Sequence, residues 1–193
     1  MTWESLLRYI RKVPSSVELV MTNAKAGNTN LALDLLQGAL AGAVAVWAMD
    51  RVDWFLYDHV SQEAREQTRA NRPGGEDPAH VIAGRVADAV GKPLTGARRD
   101  AAGTAVHYSL GVLPASLYGA LSGRVEAIGA GRGLGYGVAM FIVEDELVNT
   151  AFGTAGSPSG YPWQAHARGL LAHLVLGCVT DAALRLQRNQ TLV

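Results

Sequence analysis

Four stretches of the chain are almost free of charge, and they set its plan. Leu35–Met49 reads LLQGALAGAVAVWAM, residues 101–123 carry no charge unless His107 is protonated, Gly133–Val143 is apolar again, and Gly169–Thr180 repeats the pattern. A membrane-spanning helix needs about 20 mainly apolar residues, and only 101–123 reaches that length outright. The other three reach it by admitting acids: 31–57 takes in Asp50 and Asp53, 133–152 takes in Glu144, Asp145 and Glu146, and the last runs over 166–186 with Asp181 near its end. The pattern predicts an all-α protein, a bundle of four transmembrane helices over about 31–57, 101–123, 133–152 and 166–186.

A soluble Ala/Gly-rich bundle with acids at its helix ends is the competing reading of the same pattern. Small-residue spacing favours lipid. Gly38 and Gly42, Gly131 and Gly135 with Ala139, and Gly133 and Gly137 each recur at i+4. In water each such glycine costs a helix about 1 kcal/mol relative to alanine, whereas in a bilayer it lets two backbones approach. Trp47, Trp54, Tyr57 and Trp163 lie near segment ends, where interfacial aromatic residues belong.

Two polar regions accompany the bundle. Residues 3–13 set Trp3, Leu6, Leu7, Ile10 and Val13 on one face, with Arg8, Arg11 and Lys12 on the other and Pro14 as a stop. That spacing predicts an amphipathic helix, suited to a membrane interface or to its own domain, within an N-terminal segment 1–30 that precedes a membrane domain 31–193. No secretory signal pattern is present, so residue 1 onward reads as mature protein. Between the first two apolar helices, residues 58–100 are rich in both charges and are broken by RPGGEDP at 72–78. AHVIAGRVADAVG then places Val81, Ile82, Val86, Ala89 and Val90 on one face of a short helix, an extramembrane cap. The loop's seven Lys+Arg are offset by its acids, which leaves both termini on the cytoplasmic side.

Composition narrows the function classes. With 17 Lys+Arg against 17 Asp+Glu, no cationic surplus exists to track phosphates, so nucleic acid is not an expected partner. The single Cys178 can make neither an internal disulfide nor a paired-cysteine zinc site. GAGRGLG (129–135) lacks the strand and the Lys-Ser/Thr ending of a phosphate loop and reads as a helix entry. Ser109, Ser116 and Ser122 sit in no nucleophile elbow, and no acyl-transfer constellation can be drawn.

The second half resembles the YagU-like family of small bacterial inner-membrane proteins, whose biochemical role is not established. The likeness rests on His107 in TAVHYSLGVLPASLYGAL, the Gly-rich GLGYGVAMFIVEDELVNTAFG, the loop SPSGYPW, and His173 in GLLAHLVLG. It implies a multi-pass protein of the bacterial inner (plasma) membrane, surrounded by the lipid bilayer. The chain departs from the family by placing three acids, Glu144 to Glu146, where an isolated polar or His residue is expected.

Candidate chemistry comes from depth. In an up-down bundle the ends of helices 1 and 3 and the starts of helices 2 and 4 share one face. Asp50, His107, Asp145 and His173 then all lie roughly 8 to 10 Å from their helix ends at 1.5 Å per residue. Ionisable groups inside a membrane face the bundle interior, where they pair, bind ions or pass protons. The expected polar cluster is Asp50, Asp53, His107, Glu144, Asp145, Glu146 and His173. Consecutive α-helical residues are about 100° apart, so the three acids are not expected to point inward together.

Three uses of that cluster stay open: a proton-linked function, a hydrogen-bonded lock, or a cofactor. For the last, His107, His173, Asp145 and Asp50 are a candidate transition-metal set, and His107 with His173 are candidate axial ligands of a haem b. Gly-rich faces would also serve a homo-oligomer or a noncatalytic subunit of a larger membrane complex. Asp181 and Arg185, at i and i+4, read as a solvated or interfacial ion pair.

Overall fold

The computed structural model describes residues 30–190, and the amphipathic helix expected at 3–13 lies outside the described residues. The chain divides into two compact units at Leu33 and Asp34. In the first, Asn30 Oδ1 accepts from the backbone N–H of Ala32 at 3.1 Å and caps the helix that follows. The bundle and its polar sites belong to the second.

Every regular element among the described residues is helical. The long helices are α1 (Leu31–His59), α4 (Ala97–Ser122) and α7 (Trp163–Gln190). Between α1 and α4 lie α2 (Gln62–Ala70), a 3-10 turn at Pro73–Gly75 and α3 (Pro78–Ala89). After α4 come the single turn α5 (Glu126–Gly129) and α6. The latter opens as Leu134–Met140, widens to a π-helix over Phe141–Val148 and closes with an α-turn at Asn149–Ala151.

Two helices, α1 and α7, are long and apolar enough to cross a membrane. The expectation that 101–123 would be the one to qualify outright is corrected: freedom from charge is not apolarity, and His107, Tyr108, Ser109, Pro114, Ser116 and Tyr118 dilute α4.

Small side chains line the contacts between the helices. The inward stripe of α1 is Asp34, Gln37, Gly38, Ala41, Gly42, Ala45, Val46 and Met49, while Leu36, Leu40, Val44 and Trp47 on the same helix are exposed. A methyl group on Gly38 would lie 2.5 Å from the Ala115 carbonyl oxygen, and one on Gly119 would lie 2.8 Å from the Gly38 Cα. The backbones of α1 and α4 are therefore in direct contact, and Ser116 Oγ donates across the seam to the Leu35 carbonyl at 3.0 Å. Gly137 and Gly177 form the equivalent seam between α6 and α7, joined by Gly133, whose φ of +84° only glycine adopts readily. Gly131 and Gly135 have no neighbour there, so the Gly131/Gly135/Ala139 spacing marks no packing face.

The cap helix α3 is turned differently from its sequence pattern. It rests on α4 through Ala79, Ala83, Gly84 and Ala87, and Val86 and Val90 are exposed. Small residues allow a closer approach than the valine face that hydrophobicity alone selects. Asp77 caps α3 by accepting from the His80 N–H at 3.1 Å, and it also meets His80 Nδ1 at 2.7 Å. Burial pushes the Asp77 carboxyl up, but the hydrogen bonds and charge of His80, with Arg72 beyond, outweigh it and hold the group below its ordinary 3.8. A carboxyl lowered in the folded state stabilises above its unfolded value and loses that contribution as pH falls through the folded one. We therefore expect amide exchange of α3, corrected for intrinsic rates, to rise on acidification below about pH 4, the unfolded aspartate value. Asp77→Asn should remove most of that acid dependence.

Candidate functional site

The polar residues of the bundle gather at its two ends. At one end the π-helical stretch of α6 faces the C-terminal part of α1 and the N-terminal parts of α4 and α7. All three acids are half-buried there, whereas their neighbours Ile142, Val143, Leu147 and Val148 are exposed. This overturns the expectation that Glu144, Asp145 and Glu146 could not turn inward together. A π-helix bonds i to i+5, which narrows the step between consecutive side chains to about 80°, and each acid meets a different helix or different partner.

Glu146 Oε1 lies 2.6 Å from His166 Nδ1. Asp145 Oδ2 is 3.6 Å from His173 Nδ1 and sits over Gly169, which leaves the room a side chain would fill. Glu144 is within electrostatic reach of His107, whose Nε2 is 2.8 Å from Asp50 Oδ1. Asp53 pairs with Arg168, and the Arg168 guanidinium lies 5.1 Å from the centre of the Tyr57 ring.

The ring nitrogens assign protons. His173 Nδ1 is 2.9 Å from the Gly169 carbonyl oxygen, which only accepts, so Nδ1 carries a hydrogen. In His166, Nε2 faces the Pro158 carbonyl oxygen at 3.0 Å and must likewise donate.

The seven predicted cluster residues are thus brought to one end of the bundle, as separate pairs rather than one shell. Among the described residues no three His, Cys, Asp or Glu side chains converge as metal ligands. The metal set His107, His173, Asp145 and Asp50 is not assembled, because each imidazole is taken up by its own carboxylate on a neighbouring helix. For haem b the same pairing applies: the two rings are engaged by Asp50 and by Gly169 with Asp145.

His166 and Arg168 are site residues that sequence reasoning left out. Both stand in the first two turns of an apolar helix, opposite acids of α6 and α1, and that placement was the available signal.

The opposite end holds a second polar group. Tyr118 donates to Asp181 Oδ1 at 2.9 Å, and Arg185 Nε donates to Asp181 Oδ2 at 2.6 Å. Asp181 is only 5% exposed, so of the solvated or interfacial pair expected for Asp181 and Arg185 the solvated form is corrected: α4 brings Tyr118 over the carboxylate. Tyr136 stacks on Tyr118 with ring centres 4.6 Å apart, and its hydroxyl is buried without a hydrogen-bond partner. Nearby, Arg124 pairs with Asp34 at 2.8 Å and Arg188 donates to the Gly119 carbonyl at 2.6 Å.

Between the two ends the interior is apolar, with Ala45, Val46, Met49, Ala172 and Leu176 packed together. Known proteins offer no guide to this arrangement: no family model, curated protein or solved structure matches the chain.

Proposed function

We propose that this chain is a multi-pass protein of the bacterial inner membrane, a four-span bundle of the YagU-like kind, whose imidazole–carboxylate pairs respond to protonation. One observation carries the reading. Large apolar side chains face outward along the helices while the ionisable ones face in: Leu36, Leu40 and Val44 on α1, Leu113 and Leu117 on α4, Ile142, Val143, Leu147 and Val148 on α6, and Leu171 on α7 are all exposed. A water-soluble bundle has the reverse polarity, and contiguous exposed apolar surface marks a lipid or protein interface. Lipid accounts for stripes on all four helices; a larger complex would need to cover them all.

Ionisable groups kept inside such a bundle are functional candidates, and imidazole is the side chain that changes charge near neutral pH. Three imidazoles, each beside a carboxylate on another helix, link α1 to α4 and α6 to α7. Gain or loss of a proton there alters the contacts that hold these helices together.

The test is histidine NMR of the protein in lipid nanodiscs from about pH 5 to about pH 8, the range imidazole titrates in. The reading expects at least one of His107, His166 and His173 to titrate, with a midpoint that moves in Asp145→Asn or Asp50→Asn. Imidazoles that keep one state throughout, with both variants destabilised equally at every pH, would reduce the pairs to structural locks and favour the accessory-subunit alternative.

A further inference from the structure

We infer that His166 and Glu146 form a proton-operated latch that ties the turn Pro158–Gly160, and through it the α2 end of the cap, to α6 and α7. This rests on the proton-responsive reading above and adds to it what the protonation controls.

His166 differs from the other two imidazoles in what its ring touches. His173 spends its Nδ1 hydrogen on its own helix, and the hydrogen bond of His107 runs only to Asp50. His166 instead bridges two separate elements: Nδ1 meets Glu146 on α6, and Nε2 meets the Pro158 carbonyl in the turn Pro158–Gly160.

Proton bookkeeping fixes the consequence. A carbonyl only accepts, so Nε2 carries a hydrogen; a carboxylate beside Nδ1 at 2.6 Å requires a second hydrogen between them, whether it resides on nitrogen or on oxygen. The bridge is whole only with both. Remove one, and the ring keeps a single N–H for two acceptors. The bond to a charged carboxylate is the stronger, so the remaining hydrogen goes to Glu146 and the Pro158 oxygen faces a lone pair. Loss of the proton releases the turn; its return refastens it.

The turn is held from its other side by the cap. Asn71 Nδ2 donates to the Ser157 carbonyl at 2.9 Å and Gln67 Nε2 to the Gly160 carbonyl at 3.0 Å. Arg85 of α3 donates to the Phe152 and Gly153 carbonyls at 2.6 and 2.7 Å, closing the end of α6. Gly156 and Gly160 lie against the Asn71 side chain, each at a distance that a methyl group would violate. Residues 152–160 thus lie between the cap and His166, and undoing the His166 end frees the turn Pro158–Gly160 from α7, while Thr154 and Gly156 stay bonded to Asn149 and Thr150 at the end of α6.

Other charges around the latch are accounted for. Asp145 neighbours Glu146 on α6, Asp53 of α1 is taken by Arg168 of α7, and His173 lies deeper on α7 beside Asp145. Tyr161 presents its ring edge-on to the imidazole at 6.3 Å. Where α2 packs on α7 it buries the uncharged Ala64 and Thr68 and keeps Glu63, Glu66 and Arg69 exposed, and its half-buried Arg65 donates to the Asp58 carbonyl at 3.4 Å.

Glu146→Gln provides the decisive variant. A glutamine amide donates to Nδ1 while Nε2–H still donates to Pro158, so the bridge is satisfied with no titrating proton. The experiment is hydrogen exchange of the full chain in nanodiscs, read over residues 157–163 and α2 from about pH 5 to about pH 9. The wild type should lose protection in these segments on the alkaline side by about fivefold, the factor expected for one hydrogen bond, after correction for intrinsic rates. Glu146→Gln should stay protected and flat, and His166→Ala should be unprotected at every pH. Flat protection in the wild type while the histidine resonances titrate overturns the latch and leaves the proton-responsive reading intact; no titration at all removes both.

Discussion

Gly38→Ala and Gly119→Ala should each separate α1 from α4 and cost the bundle at or above the upper end of the about 1–3 kcal/mol typical of overpacking. The reason is that every atom the new methyl would meet belongs to backbone. At Gly38 these are the Ala115 oxygen at 2.5 Å and the Ser116 Cα at 2.8 Å; at Gly119 they are the Asp34 oxygen at 2.7 Å and the Gly38 Cα at 2.8 Å. A flexible side chain could swing aside, but a helix backbone moves only as a unit, taking with it the Ser116 bond to the Leu35 carbonyl. Gly135→Ala is the control: nothing lies within 4 Å of its methyl, so it should be neutral or stabilising by up to about 1 kcal/mol through helix propensity. Thermal unfolding of the three variants in one detergent gives the comparison, and equal melting of all three would contradict the seam.

Asp181→Ala should have the next largest effect. It strips Tyr118 of the acceptor for a hydroxyl in a residue only 3% exposed, at about 1–3 kcal/mol for an unsatisfied buried group. Arg185 contributes less, since its side chain is 55% exposed and finds solvent once released. Asp181→Asn should recover most of the loss, because the amide oxygen still accepts from Tyr118. Tyr118→Phe combined with Asp181→Ala should lose less than the sum of the single changes, because removing both partners leaves no orphan. Additive losses in that cycle would show that the pair is not coupled.

Much of the bundle was legible in the sequence because charge and helix length are local properties. The charge-poor runs mark the three long helices and α6, and measuring depth from the helix ends brings Asp50, His107, Asp145 and His173 to one end. What escaped depends on tertiary approach. The π-helix over Phe141–Val148 has no signature in its residues; it is the winding in which Glu144, Asp145 and Glu146 reach three separate imidazoles, on α4 and α7. On α3, choosing the face by hydrophobicity selected Val86 and Val90, whereas close packing on α4 selects alanines. Asp181 looked like a surface residue because its i+4 partner is an arginine, and Tyr118, which buries it, is 63 positions away.

The central claim is that the exposed apolar side chains of this bundle face lipid. Spin labels at Val143→Cys, Leu147→Cys and Leu113→Cys, placed in a Cys178→Ser background and reconstituted in bilayers, test it directly. Collision rates with oxygen, which partitions into the hydrocarbon core, are measured against those with a water-soluble nickel complex, with Glu63→Cys on the exposed side of α2 as the aqueous reference. The account predicts high oxygen and low nickel accessibility at Val143, Leu147 and Leu113, and the reverse at Glu63. Nickel accessibility at the three apolar positions equal to that at Glu63 would contradict it.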